Sequence, residues 1–457
     1  MMHLSLPLGS IRTIAPIQVS DDSVVVGVGP ASCVQCLGDF PAFSVKNDDG
    51  SKAKRVRIAT LRITRTNTQV DSGPAQSSSY GIEVWGDDVV IEDVWIDDCY
   101  SAVRTEDHEE DPSANVTLRR VHCRHSHSNA YTSIFGFWFD TVDGLLVEDC
   151  TSRNTWLDGL KLRRLCSNVR VIGGSYNASL MGDGIDAYAS GGSLTLRDVT
   201  CDDHVFGSGI NIKVSDLTGA WGHARKITID NCKARRNETV GLVVNRDAEF
   251  AARPHAAHIR ITGGDYSDNN CSDASTCGAI DIDARSVELD GVLATGNRGP
   301  GLWIRPSARD VRIRGGRFAA NGASGTGLPS NVIIDGQRVV LDHPVLLGKD
   351  GDDIAGDAEF DALDAVTSYG VLCQTTAADV TISLRASDCL GHAVSPLICS
   401  GPNSGKITVH AEGDGAPGGV WGGSTGSTYH RRDGGAGTSF YVKESGPAND
   451  STGWRAV

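Results

Sequence analysis

The chain has 457 residues and a net charge of −15, because 57 Asp and Glu outnumber 42 Lys and Arg. This acidic balance argues against a nucleic-acid partner, since phosphate binding needs clustered Lys and Arg. No apolar run is long enough to span a bilayer, and residues 1–7 lack a basic patch followed by an apolar core, so neither membrane insertion nor a signal peptide is expected.

Residues 1–75 are predicted to form strands that start and cap the body. From residue 76 to 347 a small residue precedes a short alternating strand ten times, with clean steps of 159−136 = 23, 184−159 = 25, 209−184 = 25 and 301−278 = 23. The ten strands start at Gly81, Ala102, Gly136, Gly159, Gly184, Gly209, Gly241, Gly278, Gly301 and Asn331. A unit this short cannot bury its own apolar face, so neighbouring units must stack. The period predicts an all-β fold, a right-handed, single-stranded parallel β-helix of about ten coils.

The repeat ends near residue 347. Residues 348–412 are predicted to hold an acidic loop followed by terminal strands, which either complete the helix or form a subunit contact. The acidic residues 350–357 could hold calcium through oxygen ligands, but they lack EF-hand spacing, so an exposed loop is the alternative. Residues 413–457 are rich in Gly, Ser and Thr and are predicted to form a small β module.

Five cysteines each follow an alternating strand, and Ser175 fills a gap in their spacing. They are Cys99, Cys123, Cys150, Cys201 and Cys232. We expect them to share one coil position as an inward ladder of small side chains. Cys271 and Cys277 lie in one loop and are the best disulfide candidates. The segment 122–127 has the composition of a metal site but not zinc-type spacing, so no metal and no cofactor are expected.

The C-terminal module carries a family resemblance. Residues 426–446, with the pattern Tyr-x-Arg-x-Asp-Gly-Gly-Ala-Gly and then Phe-Tyr-Val-Lys, end near Trp454. This segment resembles the closing module of tailed-bacteriophage tail spike, tail fibre and minor tail proteins, in which it follows a β-helix or fibre body. The resemblance implies a virion tail location, assembly in the host cytoplasm, contact with other phage tail proteins and a homotrimer.

The outward residues of the first strand column form a candidate glycan-binding stripe. Aromatic rings beside amides and charged groups offer a sugar both a stacking surface and directional hydrogen bonds. A trimer contact or a plain solvated face are the alternatives. The predicted binding residues are Trp85, Trp138, Lys161, Tyr188, Asn211, Lys213, Trp303 and Arg305.

Three carboxylates within this stripe are candidate catalytic residues. Asp158 and Asp183 each precede a coil glycine, so one interstrand spacing of about 4.8 Å should separate them, close to the spacing of retaining glycosidases. Asp183 and Asp186 are three residues apart on one strand and suit the wider inverting geometry.

The sequence around these carboxylates, residues 154–159, 182–186 and 207–213, resembles pectin-degrading β-helix hydrolases. Here Trp156 and Leu157 interrupt the first motif, and Ser208 stands in place of a histidine. Asp-Gly at a coil corner is also ordinary turn chemistry, and both interpretations stay open.

The sequence therefore predicts a phage tail spike or minor tail protein that contacts bacterial surface polysaccharide. A glycan depolymerase, either hydrolase or lyase, and a purely structural virion protein are the alternatives.

Overall fold

The computed structural model describes residues 3–65, 79–124, 135–189, 191–214, 225–246, 257–270, 277–322, 330–348, 369–385, 389–390, 395–399, 406–418 and 420–457. These residues form strands and connecting turns, and none of them belongs to a helix that could cross a membrane. The chain divides into two compact units, one of Met1–Thr228 with Asp247–Arg253 and the other of Ile229–Arg246 with Pro254–Val457.

The strands of the first unit are short at the start of the chain and longer after residue 53. They are β1 His3–Ser5, β2 Gly9–Thr13, β3 Ile17–Val19, β4 Val24–Val26, β5 Ser32–Cys36, β6 Phe43–Val45, β7 Ala53–Arg65, β8 Tyr80–Val84, β9 Gly86–Asp97, β10 Ser101–Thr105, β11 Ser113–Arg124, β12 Phe135–Glu148, β13 Thr151–Arg153, β14 Leu160–Ile172, β15 Ser175–Asn177, β16 Ile185–Ala189, β17 Gly191–Arg197 and β18 Ile210–Val214. The strand β19 (Arg225–Asp230) contains the division between the units.

The strands of the second unit end in three C-terminal strands, of which the middle one, β37, runs opposite to its neighbours. They are β20 Leu242–Arg246, β21 Ala257–Thr262, β22 Ile280–Ile282, β23 Arg285–Asp290, β24 Leu293–Thr295, β25 Leu302–Ile304, β26 Arg309–Arg314, β27 Arg317–Ala319, β28 Ser330–Ile334, β29 Gln337–Asp342, β30 Val345–Leu347, β31 Tyr369–Cys373, β32 Val380–Arg385, β33 Cys389–Leu390, β34 Ser395–Cys399, β35 Ile407–Gly413, β36 Thr428–Arg431, β37 Phe440–Lys443 and β38 Trp454–Ala456.

Parallel pairing between successive coils builds the first unit. Val103 of β10 pairs with Ile82 one coil before and with Phe137 one coil after, and all three side chains are buried. The opening strands follow the same rule, because β1 pairs in parallel with β4, and β4 with β7. Since strand side chains alternate between faces, one face of every rung is apolar and points into the core. The predicted parallel β-helix is thus confirmed.

The glycines that precede the first strands are required by close backbone approach. A Cβ at Gly136 would lie 2.2 Å from the carbonyl oxygen of Gly159, and one at Gly159 would lie 2.7 Å from that of Gly184. Contacts below 3.0 Å cannot be accommodated when the neighbour is backbone, so the 23- to 25-residue glycine period reflects stacking of coil on coil.

The cysteines are buried, as predicted, but they do not form one ladder. Cys123 pairs in register with Ile96 and Ser152, and Ser152 with Tyr176. Ser175 is therefore one residue away from the inward position, which the fully buried Tyr176 occupies. The error arises because a one-residue shift moves a side chain to the opposite face of a strand. Cys271 lies outside the described residues, and so do residues 125–127 and 350–357.

The second unit contains an internal ladder of asparagines. The side-chain amide Nδ2 of the first four donates to Oδ1 of the next asparagine, at distances of 2.8–3.1 Å, and that of the fifth, Asn331, donates to the carbonyl oxygen of Leu347. The five residues, all buried, are Asn237, Asn269, Asn297, Asn321 and Asn331. Buried amides normally cost free energy, and the stacked hydrogen bonds offset that cost.

The C-terminal module adds antiparallel strands to the second unit. β36 pairs in parallel with β35 and antiparallel with β37, which pairs antiparallel with β38. The predicted strand, glycine turn and strand are present, and β38 extends them. Tyr429 is buried against the rings of Trp421, Tyr441 and Trp454, with centroid separations of 6.2, 6.2 and 6.5 Å. A lone hairpin is marginal in water, and this packing anchors it.

Candidate functional site

The first strand column of the first unit presents a continuous row of polar and aromatic side chains. Strand register aligns Glu83, Arg104, Trp138, Lys161, Asp186 and Asn211, one residue from each successive coil. Their apolar neighbours on either side along each strand point into the core, so alternation places this row on the opposite face. Tyr188 and Lys213 form a second, adjacent row two residues further along the strands.

A cleft of about 240 Å³ opens at the middle of this row, lined by Phe135, Trp138, Lys161, Arg163 and Tyr188. Phe135 and Trp138 contact each other at a ring-centroid distance of 4.8 Å. The Lys161 ammonium lies 5.6 Å from the Tyr188 ring centroid, within cation–π range. The volume is below the usual 300–1,000 Å³ of a drug-sized ligand site, so the cleft suits a small part of an extended chain.

Asp140 positions the Trp138 ring at the edge of this cleft. Its buried carboxylate accepts a hydrogen bond from Trp138 Nε1 at 3.0 Å and one from Arg104 Nε at 3.2 Å. Burial raises the pKa of Asp140, and the nearby Arg104 and Arg163 oppose that rise. The indole orientation is therefore held by two charged groups that the sequence did not single out for this role.

Asp158, Asp183 and Asp186 form a close cluster beside the cleft. One carboxylate oxygen from each residue lies within 4.8 Å of the others. The structure therefore does not separate a close Asp158–Asp183 pair from a wide Asp183–Asp186 pair, as the spacing along the strand had suggested.

Burial and mutual repulsion shift the protonation of two of these carboxyls. Burial raises the pKa of Asp183 to about 7, and the charges of Asp158 and Asp186 add to the rise. Burial also raises the pKa of Asp158, while Lys161 opposes it. At neutral pH the cluster can therefore hold a proton on Asp183, which is the property of a general acid.

Two lysines compensate the negative charge of the cluster. Lys161 Nζ lies 3.2 Å from Asp158 Oδ2 and also contacts Asp186, and Lys213 Nζ lies 2.8 Å from Asp186 Oδ2. Asp186 is only 3% exposed, and its other oxygen, Oδ1, has no hydrogen-bond partner within the described chain. A buried acceptor without a donor is costly, so this oxygen adds to the unfavourable free energy of the buried cluster.

The three carboxylate oxygens are close enough together to bind a cation, although no metal was predicted from the sequence. The ammonium groups of Lys161 and Lys213 already contact the same carboxylates and would repel a cation there. The absence of a metal and of a cofactor thus stays a prediction.

Asn211 belongs to the row, Trp85 lies two residues beyond the row's Glu83, and each already has partners. The Trp85 ring stacks on His108 at a centroid distance of 3.8 Å, and its Nε1 donates to the carbonyl oxygen of Asp111. Asn211 Nδ2 donates to Asp183 Oδ2 at 2.9 Å. Asn211 therefore belongs to the acidic cluster, and one face of the Trp85 ring is covered.

Trp303 and Arg305 belong to the second unit, and the outward exposure predicted for Trp303 requires correction. Trp303 is 7% exposed and packs with Ile333 and Leu372, its register partners in the following coils. Its Nε1 donates to Asp335, and the Arg305 guanidinium, paired with Asp281, lies 3.8 Å from its ring centroid. Trp303, Ile333 and Leu372 are therefore buried together, and the Trp303 ring is a packing residue.

An apolar ridge beside the acidic cluster was missed from the sequence. Met181 N donates to the carbonyl oxygen of Trp156, and Phe206 N to that of Leu180, so residues 156, 180–181 and 206 lie on three successive coils. Met181 and Phe206 are exposed. Their 25-residue spacing, 181−156 = 25 and 206−181 = 25, was the available signal.

Comparison with known proteins gives matches among solved structures. No protein-family model and no curated protein sequence matches the chain. Among solved structures, gene product 12 of bacteriophage phi29, in its pre-mature form, aligns with a TM-score of 0.51 at 13% identity, covering 89% of this chain and 59% of that one. Tailspike protein 3 of bacteriophage CBA120 aligns with a TM-score of 0.45 at 11% identity, covering 99% and 64%. The A-module of the Azotobacter vinelandii mannuronan C-5 epimerase AlgE4 aligns with a TM-score of 0.40 at 14% identity, covering 89% and 90%.

Proposed function

We propose that this chain is a tail spike or minor tail protein of a tailed bacteriophage and that it contacts a glycan on the host cell surface. The observation that carries the proposal is the cleft of Trp138, Tyr188 and Lys161 on one face of a parallel β-helix. The β-helix fold shared with a phage phi29 gene product supports it, as does the C-terminal segment that resembles phage tail modules.

The cleft offers the two kinds of contact that a sugar needs. The rings of Phe135, Trp138 and Tyr188 give flat apolar surface for the C–H face of a pyranose, and Lys161 and Arg163 supply N–H donors for its oxygens. The row extends along the coils, so an extended polysaccharide lies across several rungs. Bacterial surface polysaccharide is the proposed partner.

The proposed setting follows the phage resemblance. The chain assembles in the host cytoplasm as a homotrimer, joins other phage tail proteins and functions in the tail of the virion. Light scattering of the purified chain tests the trimer, and a monomer at micromolar concentration would contradict it.

Adsorption of the purified chain to host cells tests the glycan contact. Trp138→Ala should reduce adsorption, and prior treatment of the cells with periodate, which cleaves vicinal diols of sugars, should abolish it. Adsorption that survives both treatments would contradict the proposal. A folded chain that binds neither cells nor their polysaccharide would instead be a structural virion protein.

A second function, glycan depolymerisation, is favoured by the protonation of the acidic cluster. Asp183, with its pKa of about 7, can donate a proton to the leaving glycosidic oxygen. As the C–O bond breaks, Asp186 bonds to the anomeric carbon, and because it is only 3% exposed it must become accessible when the substrate binds. Water displaces Asp186 and returns a proton to Asp183, so the sugar is hydrolysed with retention, which the close spacing of the carboxyls favours.

An assay for reducing ends released from host polysaccharide distinguishes depolymerisation from binding alone. The Asp183→Asn variant keeps the acceptor oxygen but has no acidic proton, and it should lose about 10²–10⁴-fold in rate. Asp198→Asn is the matched control, because Asp198 is exposed and its φ of 55° suits Asn. If wild type releases no reducing ends and no unsaturated product, the enzymatic function fails while the adsorption function stands.

A further inference from the structure

A second cleft lies in the first unit, on the second strand column, away from the row described above. Its volume is about 410 Å³, within the range of small-molecule sites. Two rows line it. Arg62, Trp95 and His122 are register partners on β7, β9 and β11, and Asp97, Arg124 and Arg153 are register partners on β9, β11 and β13. The second row lies two residues further along the strands, so both rows share one face.

Positive charge is in excess in this cleft. Asp97 accepts hydrogen bonds from Arg62, and its other oxygen lies 3.5 Å from Arg124 Nε. One carboxylate thus faces two guanidinium groups. Arg153, which is exposed, has no ion pair within the described part of the chain. Three guanidiniums against one carboxylate leave a net charge of about +2 in a protein whose total is −15.

The arginines also keep donors available. A guanidinium has five N–H groups arranged to bind a carboxylate or phosphate through two parallel hydrogen bonds. Arg124 uses a single contact at 3.5 Å, and its side chain is 64% exposed. An incoming anion can therefore bind Arg124 and Arg153, which are neighbours on adjacent strands, without breaking an existing hydrogen bond between described residues.

Trp95 and His122 supply a flat apolar surface beside these donors. Their ring centroids are 5.7 Å apart, and Trp95 is half-buried. Burial lowers the pKa of His122, which favours the neutral ring, and its Nδ1 shares a hydrogen bond with Thr151 Oγ1 at 2.9 Å. Cation donors next to an exposed indole face are suited to a ligand that has both an anionic group and an apolar C–H face.

We propose that this cleft binds a saccharide that carries a carboxylate or phosphate group. The sugar ring lies against Trp95, and the anionic group is held by Arg124 and Arg153. The overall negative charge of the protein disfavours a long polyanion such as a nucleic acid, whereas a local basic cleft recognises single charged substituents. The inference rests on the proposed function only in taking the ligand to be a saccharide.

Calorimetric titration of the full chain tests this site with defined probes. Trigalacturonic acid represents a carboxylated glycan, mannose 6-phosphate a phosphorylated sugar, and maltotriose a neutral one. We expect one of the two anionic probes to bind, maltotriose not to bind, and affinity to fall when NaCl is raised, because salt screens exposed charges. Which anionic probe binds identifies the source of the charge.

Arg124→Gln should lower the affinity for the anionic probe about tenfold, the effect of losing a charge-assisted hydrogen bond. Arg119→Gln is the matched control on the same strand, because Arg119 is paired with Glu148 and lies outside the cleft. It should leave the affinity unchanged. Trp95→Phe, which retains a ring, should weaken binding less than Trp95→Leu.

Three results would overturn the inference. They are no binding of either anionic probe, an equal loss of affinity in Arg119→Gln and Arg124→Gln, or tighter binding of adenosine monophosphate than of both anionic sugars. The titration can succeed or fail independently of the adsorption experiment that tests the proposed function. If an anionic probe binds through Arg124 while the chain fails to adsorb to host cells, this site stands and the adsorption role fails.

Discussion

The main-chain N–H of Asp183 donates a hydrogen bond to Oδ1 of Asp158 at 2.9 Å, linking one coil to the next. The same contact recurs one coil later, where Ser208 N donates to Asp183 Oδ1 at 2.7 Å. These carboxylates therefore hold coil corners as well as forming an acidic cluster. Substitution by Asn preserves the accepting oxygen and removes the charge, so it separates the structural role from the chemical one.

The contribution of Asp183 to the stability of the folded protein should decrease as pH rises. Its pKa rises from an ordinary 3.8 to about 7 on folding, so the protonated form favours the folded state. That contribution is complete below about pH 4 and is lost as pH rises to about 7. We expect the melting temperature of Asp183→Asn, relative to wild type, to increase between pH 4 and 7. Asp198→Asn should show no such trend, and a pH-independent difference for Asp183→Asn would contradict the shifted pKa.

Trp138 and Trp85 should differ in their effect on adsorption. Trp138 lines the cleft, whereas one face of the Trp85 ring is covered by His108. Trp138→Ala should weaken glycan binding about 2- to 10-fold, from about 0.5–1.5 kcal/mol per ring contact. Trp85→Ala should have a smaller effect. Binding to immobilised host polysaccharide measures both, and a larger loss for Trp85→Ala would place the glycan elsewhere on the row.

Trp303→Ala should act on stability and leave glycan binding alone. Its ring packs with Ile333 and Leu372, and its indole N–H donates to Asp335 at 2.8 Å. Truncation of a buried Trp costs about 3–5 kcal/mol of unfolding free energy. Urea unfolding of the second unit measures the cost. Adsorption per folded molecule should match wild type, and a selective loss of adsorption would show that the ring contacts ligand.

Lys443→Met should loosen the C-terminal module. Lys443 has no exposed surface, and its ammonium donates to the carbonyl oxygens of Asp450 and Thr452. Loss of hydrogen bonds from a charged donor costs about 1.5–3 kcal/mol each. Limited proteolysis should therefore cleave residues 444–457 faster in this variant. Lys406→Met, at an exposed lysine, is the control, and equal cleavage rates in the two variants would contradict the anchoring role.

The coil repeat was predictable from the sequence because most coil corners need a glycine at a fixed position. The glycine at each coil corner is needed wherever backbones approach closely, so Gly136, Gly159 and Gly184 mark the period directly. The carboxylate positions Asp158 and Asp183 follow from the same period. The strand register of the inward residues was not predictable to one residue. Cys150 and Ser175 follow the repeat spacing, yet Cys123 pairs in register with Ser152, and Ser152 with Tyr176.

The sequence by itself determined the parallel β-helix, since a 23- to 25-residue unit can bury its apolar face only by stacking. It also placed Asp158 and Asp183 one coil apart, because the coil glycines that follow them repeat with that period. Only the tertiary structure decided which outward rings stay accessible. Trp303 is covered by Ile333 and Leu372, and Trp85 stacks on His108, whereas Trp138 lines a cleft. Accessibility depends on side chains from other coils and turns, whose positions a repeat period does not specify. The basic cleft around Trp95 has the same origin, because it joins arginines that lie 62 residues apart in the chain (124−62 = 62).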